Sequence, residues 1–143
     1  MPHSFQVSAK GIAVDGDKVL ILLGKQKGGA DPFAWDLPGG RLERGESLQE
    51  GLAREISEEL PGNSVATIHE LVDAKVDWHR FIKQDVVVLC WRIQLASTSI
   101  TLSHEHQEYR WVNKEEFDNL RHHTSYDMLP DQARAVAKVL HQL

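Results

Sequence analysis

Glu55, Glu58 and Glu59 stand at i, i+3 and i+4, a spacing that on a helix projects three carboxylates from neighbouring points of one face. Most acidic faces do no more than keep a surface helix solvated. The angles point elsewhere here. At roughly 100° per residue from Leu48, Leu52 falls at roughly 40° and Ile56 at roughly 80°, while Glu55 falls at roughly −20° and Glu59 at roughly 20°. Two carboxylates thus overlap the edge of the apolar stripe, and the outermost positions go to Ser57, Glu50 and Arg54. Two such charges about 5 Å apart, at an effective dielectric of about 20, repel by roughly 3 kcal/mol. A bound divalent cation would remove that cost. Oxygen-only ligands favour Mg²⁺ or Mn²⁺ over zinc.

Upstream, Leu37-Pro38-Gly39-Gly40-Arg41-Leu42 sets paired glycines where a backbone must turn sharply or come close to a ligand. From Gly40 the chain runs five residues to Glu46 and seven more to Arg54-Glu55-Ile56-Ser57-Glu58-Glu59. That string resembles the Nudix box, Gly-x5-Glu-x7-Arg-Glu-U-x-Glu-Glu-x-Gly-U, where U is an apolar aliphatic residue. It stays in register from Gly40 to Glu59. The box ends differently, with Pro61 at its last glycine position and Gly62 at its last apolar one. Both belong to the helix stop, so the departure is expected to alter the following loop and leave the chemistry intact.

The resemblance implies an α/β fold, a Nudix-type α/β/α sandwich with a mixed β-sheet between helices. It also implies a divalent-metal hydrolase that cuts a phosphoanhydride bond, with Mg²⁺ or Mn²⁺ bridging the diphosphate while water attacks one phosphorus. Carried over residue by residue, Glu55, Glu58 and Glu59 would be metal ligands, with the Gly39 carbonyl a further one. Arg54 would orient the carboxylates and Glu46 would support the loop. Gly40, Arg41 and Lys25 flank the site as candidates for the substrate phosphates, although loop lysines such as Lys25 and Lys27 are usually just solvated.

A second constellation is Ser103-His104-Glu105-His106-Gln107-Glu108-Tyr109-Arg110-Trp111. Plain solvation is the ordinary fate of such a loop. In the family it resembles, a glutamate here often serves as base or extra metal ligand, which puts Glu105 first, His106 second and leaves Glu108 as a third candidate. Trp35, Phe33 and Trp78 could stack on a base but are expected to be packing anchors. His122 and His123 are adjacent, point in different directions on any regular element, and are expected at the surface.

These groups need a scaffold to hold them. Phe5, Val7 and Ala9 alternate with Gln6, Ser8 and Lys10, and after Asp15-Gly16-Asp17 the apolar run Val19 to Leu23 follows, which reads as a hairpin. Gly24 to Pro38 reads as an exposed loop ending in the short segment Ala34 to Leu37. Ser47-Leu48-Gln49-Glu50 is a capping box opening a helix with Leu48, Leu52, Ile56 and Leu60 on one stripe, stopped at Pro61-Gly62. Strands are expected at Val65 to Val76, at Phe81 to Leu95 with Val86 to Trp91 as a central strand, and at Tyr109 to Val112. A last helix carries Leu129, Ala133, Val136 and Leu140, with Ser125 or Asp127 as cap and Pro130 in its first turn.

At 143 residues and 41% hydrophobic, the chain suits a single domain spanning 1–143, with the box at about 40–62. Its net charge of −5 argues against an electrostatic grip on duplex nucleic acid, so the expected partner is a small nucleotide. The single cysteine, Cys90, reads as a buried thiol in a core strand. No run of about 18 apolar residues suggests a membrane span, and Met1 to Gln6 lacks a signal-peptide pattern, so a cytoplasmic location is expected. A homodimer is left open. Among functions, hydrolysis of a nucleoside diphosphate linked to another moiety ranks first. MutT-like removal of pyrophosphate from a (deoxy)nucleoside triphosphate comes second. A related diphosphate isomerase needs an active-site cysteine, which Cys90 fits poorly. A non-catalytic binding module would be expected to have lost box carboxylates that are all present.

Overall fold

The structure is a computed structural model that describes residues 3–24, 34–79, 83–123 and 130–143. Its strands are β1 (Phe5–Asp15), β2 (Lys18–Gly24), β3 (Trp35–Asp36), β4 (Gly39–Arg41), β5 (Val65–His79), β6 (Gln84–Leu95) and β7 (His106–Val112). The helices are α1 (Leu48–Glu59), α2 (Lys114–His123) and α3 (Pro130–Gln142). The strands form one sheet in the order β3-β2-β1-β6-β5, with β4 also paired to β1 and β7 to β2. β1 and β6 run parallel from Phe5↔Asp85 to Ala13↔Ile93, and the other pairings are antiparallel. The expected mixed sheet between helices is therefore the fold. None of the helices among the described residues is long and apolar enough to cross a membrane.

Alternation along the strands feeds two cores. Leu89, Trp91, Ile93 and Leu95 face one way with Ala9 and Ala13, and there they meet Leu52 and Ile56 of α1 and Leu60 just past its end. Val86, Val88 and Cys90 face the other way and meet Phe117 of α2 and Val136 and Val139 of α3. Full burial of each Leu or Ile stabilises by roughly 1.5–3 kcal/mol before entropy is counted, so the stripe of α1 fixes the rotation at which its carboxylates emerge. Cys90 is a buried thiol in the core strand β6, as expected.

Four points of the sequence reading need correction. The alternation read along Phe5 to Lys10 is not a buried face against a wet one. Ser8, Ala9 and Lys10 are all buried and Phe5 is exposed, because β1 is an inner strand of a sheet whose two faces are both covered by helices. Trp78 is no packing anchor. It stands 57% exposed on β5, the edge strand. Helix α2 escaped the sequence reading, although its start carries a signal: Asn113 and Glu116 exchange side-chain and backbone hydrogen bonds of 2.9 and 3.1 Å in a reciprocal cap. The third strand-like segment starts at His106, three residues earlier than expected, so His106 and Glu108 belong to β7. Leu129, Ser125 and Asp127 lie outside the described residues, while Pro130 opens α3 as expected.

Candidate active site

Helix α1 begins where its sequence says. The Ser47 side chain accepts from the Glu50 N–H, the Glu50 carboxylate accepts from the Ser47 N–H, and α1 ends at Glu59 with Leu60 as cap. Pro61 thus follows the last helical residue by two, where its missing N–H breaks no helical bond, and Gly62 takes φ +83° to complete the stop. All three carboxylates lie inside the helix despite the altered end of the box.

The helix lies against the glycine pair with a shared register. A Cβ on Gly40 would stand 2.5 Å from the Glu55 carboxyl carbon, so the Glu55 side chain fills the space that a side chain at Gly40 would need. One turn on, the Gly39 N–H donates to Glu59 Oε2 at 3.2 Å. Gly39 itself is forced. Its φ is +134° and a Cβ would meet the Ala9 carbonyl oxygen at 2.1 Å, a backbone collision. Gly39→Ala is accordingly expected to destabilise the fold by about 2–4 kcal/mol, measured by denaturant unfolding. A loss within about 0.5 kcal/mol would contradict this account of the turn.

Arg54 links the acids. Its Nε donates to Glu46 Oε2 at 2.6 Å and one Nη to Glu46 Oε1 at 2.9 Å, a bidentate pair. The other Nη donates to Glu55 at 3.0 Å and to Glu58 at 3.3 Å. Its remaining bond goes to the Arg41 carbonyl at 3.2 Å. The Arg54 guanidinium, with the Glu43 N–H, holds the Glu46 carboxyl down at about 2. Glu46 also accepts from the Glu43 N–H at 2.7 Å, so Arg54 bridges this loop carboxylate to Glu55 and Glu58 on the helix. Glu55 and Glu58 both reach one nitrogen of Arg54 and so already share one positive group. The Glu58 side chain is 60% exposed. Arg41 is exposed, and only its backbone is tied to the cluster.

Glu59 differs from both. It is 7% exposed, and burial pushes its carboxyl up to about 8. Repulsion from Asp36 and Glu55 acts in the same direction, while Lys10 and the Gly39 N–H oppose it. Lys10, from β1, donates to Asp36 Oδ1 at 3.2 Å and to the Leu37 and Gly39 carbonyls at 3.2 and 3.4 Å. The sequence reading assigned no role to Lys10. The available signal was a lysine inside the run Val7 to Val14, flanked by the small Ala9 and Gly11.

Among the described residues no group of three His, Cys, Asp or Glu side chains is gathered as a closed metal centre. The donor set nevertheless suits a hard divalent cation: carboxylate oxygens on one helix face, two of them already sharing a positive group, beside a glycine backbone with no side chain in the way. The Gly39 carbonyl, a candidate ligand, here accepts from Lys10.

The second constellation comes to the same end of α1. The Ser103 N–H donates to the Glu59 carbonyl at 3.0 Å, and the Glu105 N–H to Ser103 Oγ at 3.3 Å, which puts exposed Glu105 on a turn tethered to the helix end. His106 is 8% exposed within β7. Glu108 pairs with Arg110 at 3.0 Å, and Arg110 lies 5.1 Å over the ring of Trp35, which is buried as expected. Lys25, Lys27 and Phe33 lie outside the described residues, as do the side chains of His122 and His123.

The family model described as NUDIX domain matches residues 4–132. A nucleoside triphosphatase NudI of Salmonella arizonae is 31% identical over 112 residues, covering 72% of this chain and 77% of the relative. Among solved structures, a MutT protein from Methanosarcina mazei superposes with TM-score 0.77 at 20% identity, over 99% of this chain and 97% of that one. The ORF135 protein of E. coli gives TM-score 0.75 at 20% identity, over 97% and 91%.

Proposed function

Because the chain belongs to the Nudix family, and is a hydrolase acting on pyrophosphate bonds, we propose that it hydrolyses nucleoside triphosphates to the monophosphate and pyrophosphate at the α1 carboxylates. The observation that carries this reading is the pairing of Glu55 with Gly40 and of Glu59 with Gly39. It sets two carboxylates of one helix face against the glycine turn, the pairing a cation held between protein and diphosphate would need. Sequence alone ranked nucleoside diphosphate conjugates first. The 31% identity to a relative named a nucleoside triphosphatase supports placing triphosphates first.

Nudix hydrolases generally use divalent metals, and the oxygen-only donors favour Mg²⁺ or Mn²⁺ here. Glu55, Glu58 and Glu59 are the residues that would hold the cation, with the Gly39 carbonyl a further candidate. When bound, it would offset charge on the phosphate oxygens and acidify an attacking water. Arg54 keeps Glu55 and Glu58 pointed together, and Glu46 keeps Arg54 in place. Gly40 leaves room for Glu55, and the side chain of Arg41 is free to meet an outer phosphate. Glu105 is the candidate base, carried toward the helix end by Ser103.

The substrate order is tested by incubating the protein and Mg²⁺ or Mn²⁺ with nucleoside triphosphates and with nucleoside diphosphate conjugates, then separating products by chromatography. Preference for triphosphates supports the proposal, and exclusive cleavage of conjugates overturns it. Glu105→Gln is expected to lower kcat by about 10²-fold with a smaller change in KM. That is the lower end for a positioned base, because the group is exposed and tethered at one end only. Glu108→Gln, whose carboxylate is engaged by Arg110, is expected to change kcat less than about threefold. Equal effects of the two would remove Glu105 as the base.

Gly40→Ala is expected to act on turnover more than on the fold. The added methyl meets the mobile end of Glu55, so a displaced carboxylate should lower kcat by roughly 10²-fold while the melting temperature changes little. An unchanged kcat would argue against a role for Glu55 in its observed place.

A further inference from the structure

Lys10 is a cation held inside the protein, 8% exposed in the middle of β1. Its ammonium has three protons to donate, and it donates to the short stretch Asp36 to Gly39: to the Asp36 carboxylate and to the carbonyls of Leu37 and Gly39. The other side of Gly39 is held as well, its N–H donating to Glu59 Oε2 at 3.2 Å. The same residue pairs with Lys10 in the β1–β4 register and is pressed so close to β1 that no Cβ fits. The turn is therefore pinned between a lysine from the sheet and a glutamate from the helix. Lys10 also brings positive charge between Asp36 and Glu59, two carboxylates that repel one another.

We propose that Lys10 is a positioning residue of the hydrolytic centre, fixing the Asp36–Gly39 turn and the Glu59 carboxylate relative to each other before any ligand arrives. This rests on the reading of the α1 carboxylates as the hydrolytic site. Lys10 touches no substrate in this role. It acts through the turn and through Glu59, so its loss should appear in the ligand geometry and not in stability alone.

Lys10→Met keeps the length of the side chain and removes its donors. At saturating metal it is expected to lower kcat about 10²-fold with KM within about threefold. It should also weaken Mn²⁺ binding to the substrate-free protein about tenfold, read by isothermal titration calorimetry, the range seen when groups that orient ligands are removed. Val88→Ala, in the neighbouring strand and outside the site, serves as the comparison for lost stability. It should lower the melting temperature while leaving kcat and Mn²⁺ affinity within about twofold. Lys10→Arg retains the buried charge but replaces a compact ammonium with a planar fork. It is expected to fold with kcat at least about tenfold below the wild type, and carries the test if Lys10→Met does not fold. Wild-type kcat and Mn²⁺ affinity in either folded Lys10 variant would overturn the proposal. So would an equal kcat loss in Val88→Ala. If the unaltered protein turns over no nucleotide, the functional reading fails instead, and the Mn²⁺ titration alone decides for Lys10, with unchanged affinity overturning it.

Discussion

Glu59→Gln is expected to lower kcat by about 10³-fold or more while the metal-free protein melts at the same or a higher temperature. The two effects have one cause. A buried carboxylate is costly when ionised, and Glu59 is 7% exposed with its carboxyl pushed up to about 8. Glutamine keeps the shape and the Gly39 contact without the charge. Loss of a charged ligand removes several kcal/mol of stabilisation from developing phosphate charge, and each 1.4 kcal/mol or so is tenfold in rate. The sign for pH follows from proton counting. Between about 4.5 and about 8 the folded state holds a proton on Glu59 that the unfolded state has lost, so stability falls as pH rises through this window and levels off above it. The loss is on the order of a few kcal/mol at most. Calorimetry of the metal-free protein at pH 5 and 8 should show the decline, and Glu59→Gln should flatten it. A Gln variant less stable than the wild type at pH 8 would contradict this.

Removing divalent metal with EDTA is expected to reduce turnover to background, and Mg²⁺ or Mn²⁺ to restore it. Glu55, Glu58 and Glu59 supply only oxygen, and without a cation their charge is eased by Arg54, Lys10, the Gly39 N–H and protonation of Glu59. Metal must displace the Glu59 proton below about pH 8. Apparent affinity should therefore rise about tenfold per pH unit up to that point and then flatten. Titration of the metal-free protein at pH 6.5 and 8.5 measures this. Turnover undiminished in EDTA, or an affinity independent of pH, would sink the assignment.

Much of this was legible in the sequence, and for local reasons. A capping box, a stripe at helical spacing and a Pro-Gly stop determine α1 without help from the rest of the chain, and the same angles put Glu59 at the edge of the core. What stayed hidden depends on contacts distant in sequence. Lys10 reads as no more than one residue of an alternating strand until the sheet is covered on both faces and residues 36–39 arrive to accept its protons. Trp78 reads as core until β5 proves to be an edge. Helix α2 was overlooked because its apolar side rests on little more than Phe117 and Leu120. Glu105 could be ranked but not located, since the bond from Ser103 to the Glu59 carbonyl joins residues 44 positions apart (103 − 59).

The central claim, that this site cuts a nucleoside triphosphate between its α and β phosphates, is tested most directly by phosphorus NMR of one triphosphate incubated with the protein and Mg²⁺. The account predicts that the triphosphate signals give way to nucleoside monophosphate and pyrophosphate in equal amounts, and that Glu59→Gln protein leaves them unchanged over the same time. Release of orthophosphate with nucleoside diphosphate, or the same time course with Glu59→Gln, would contradict it.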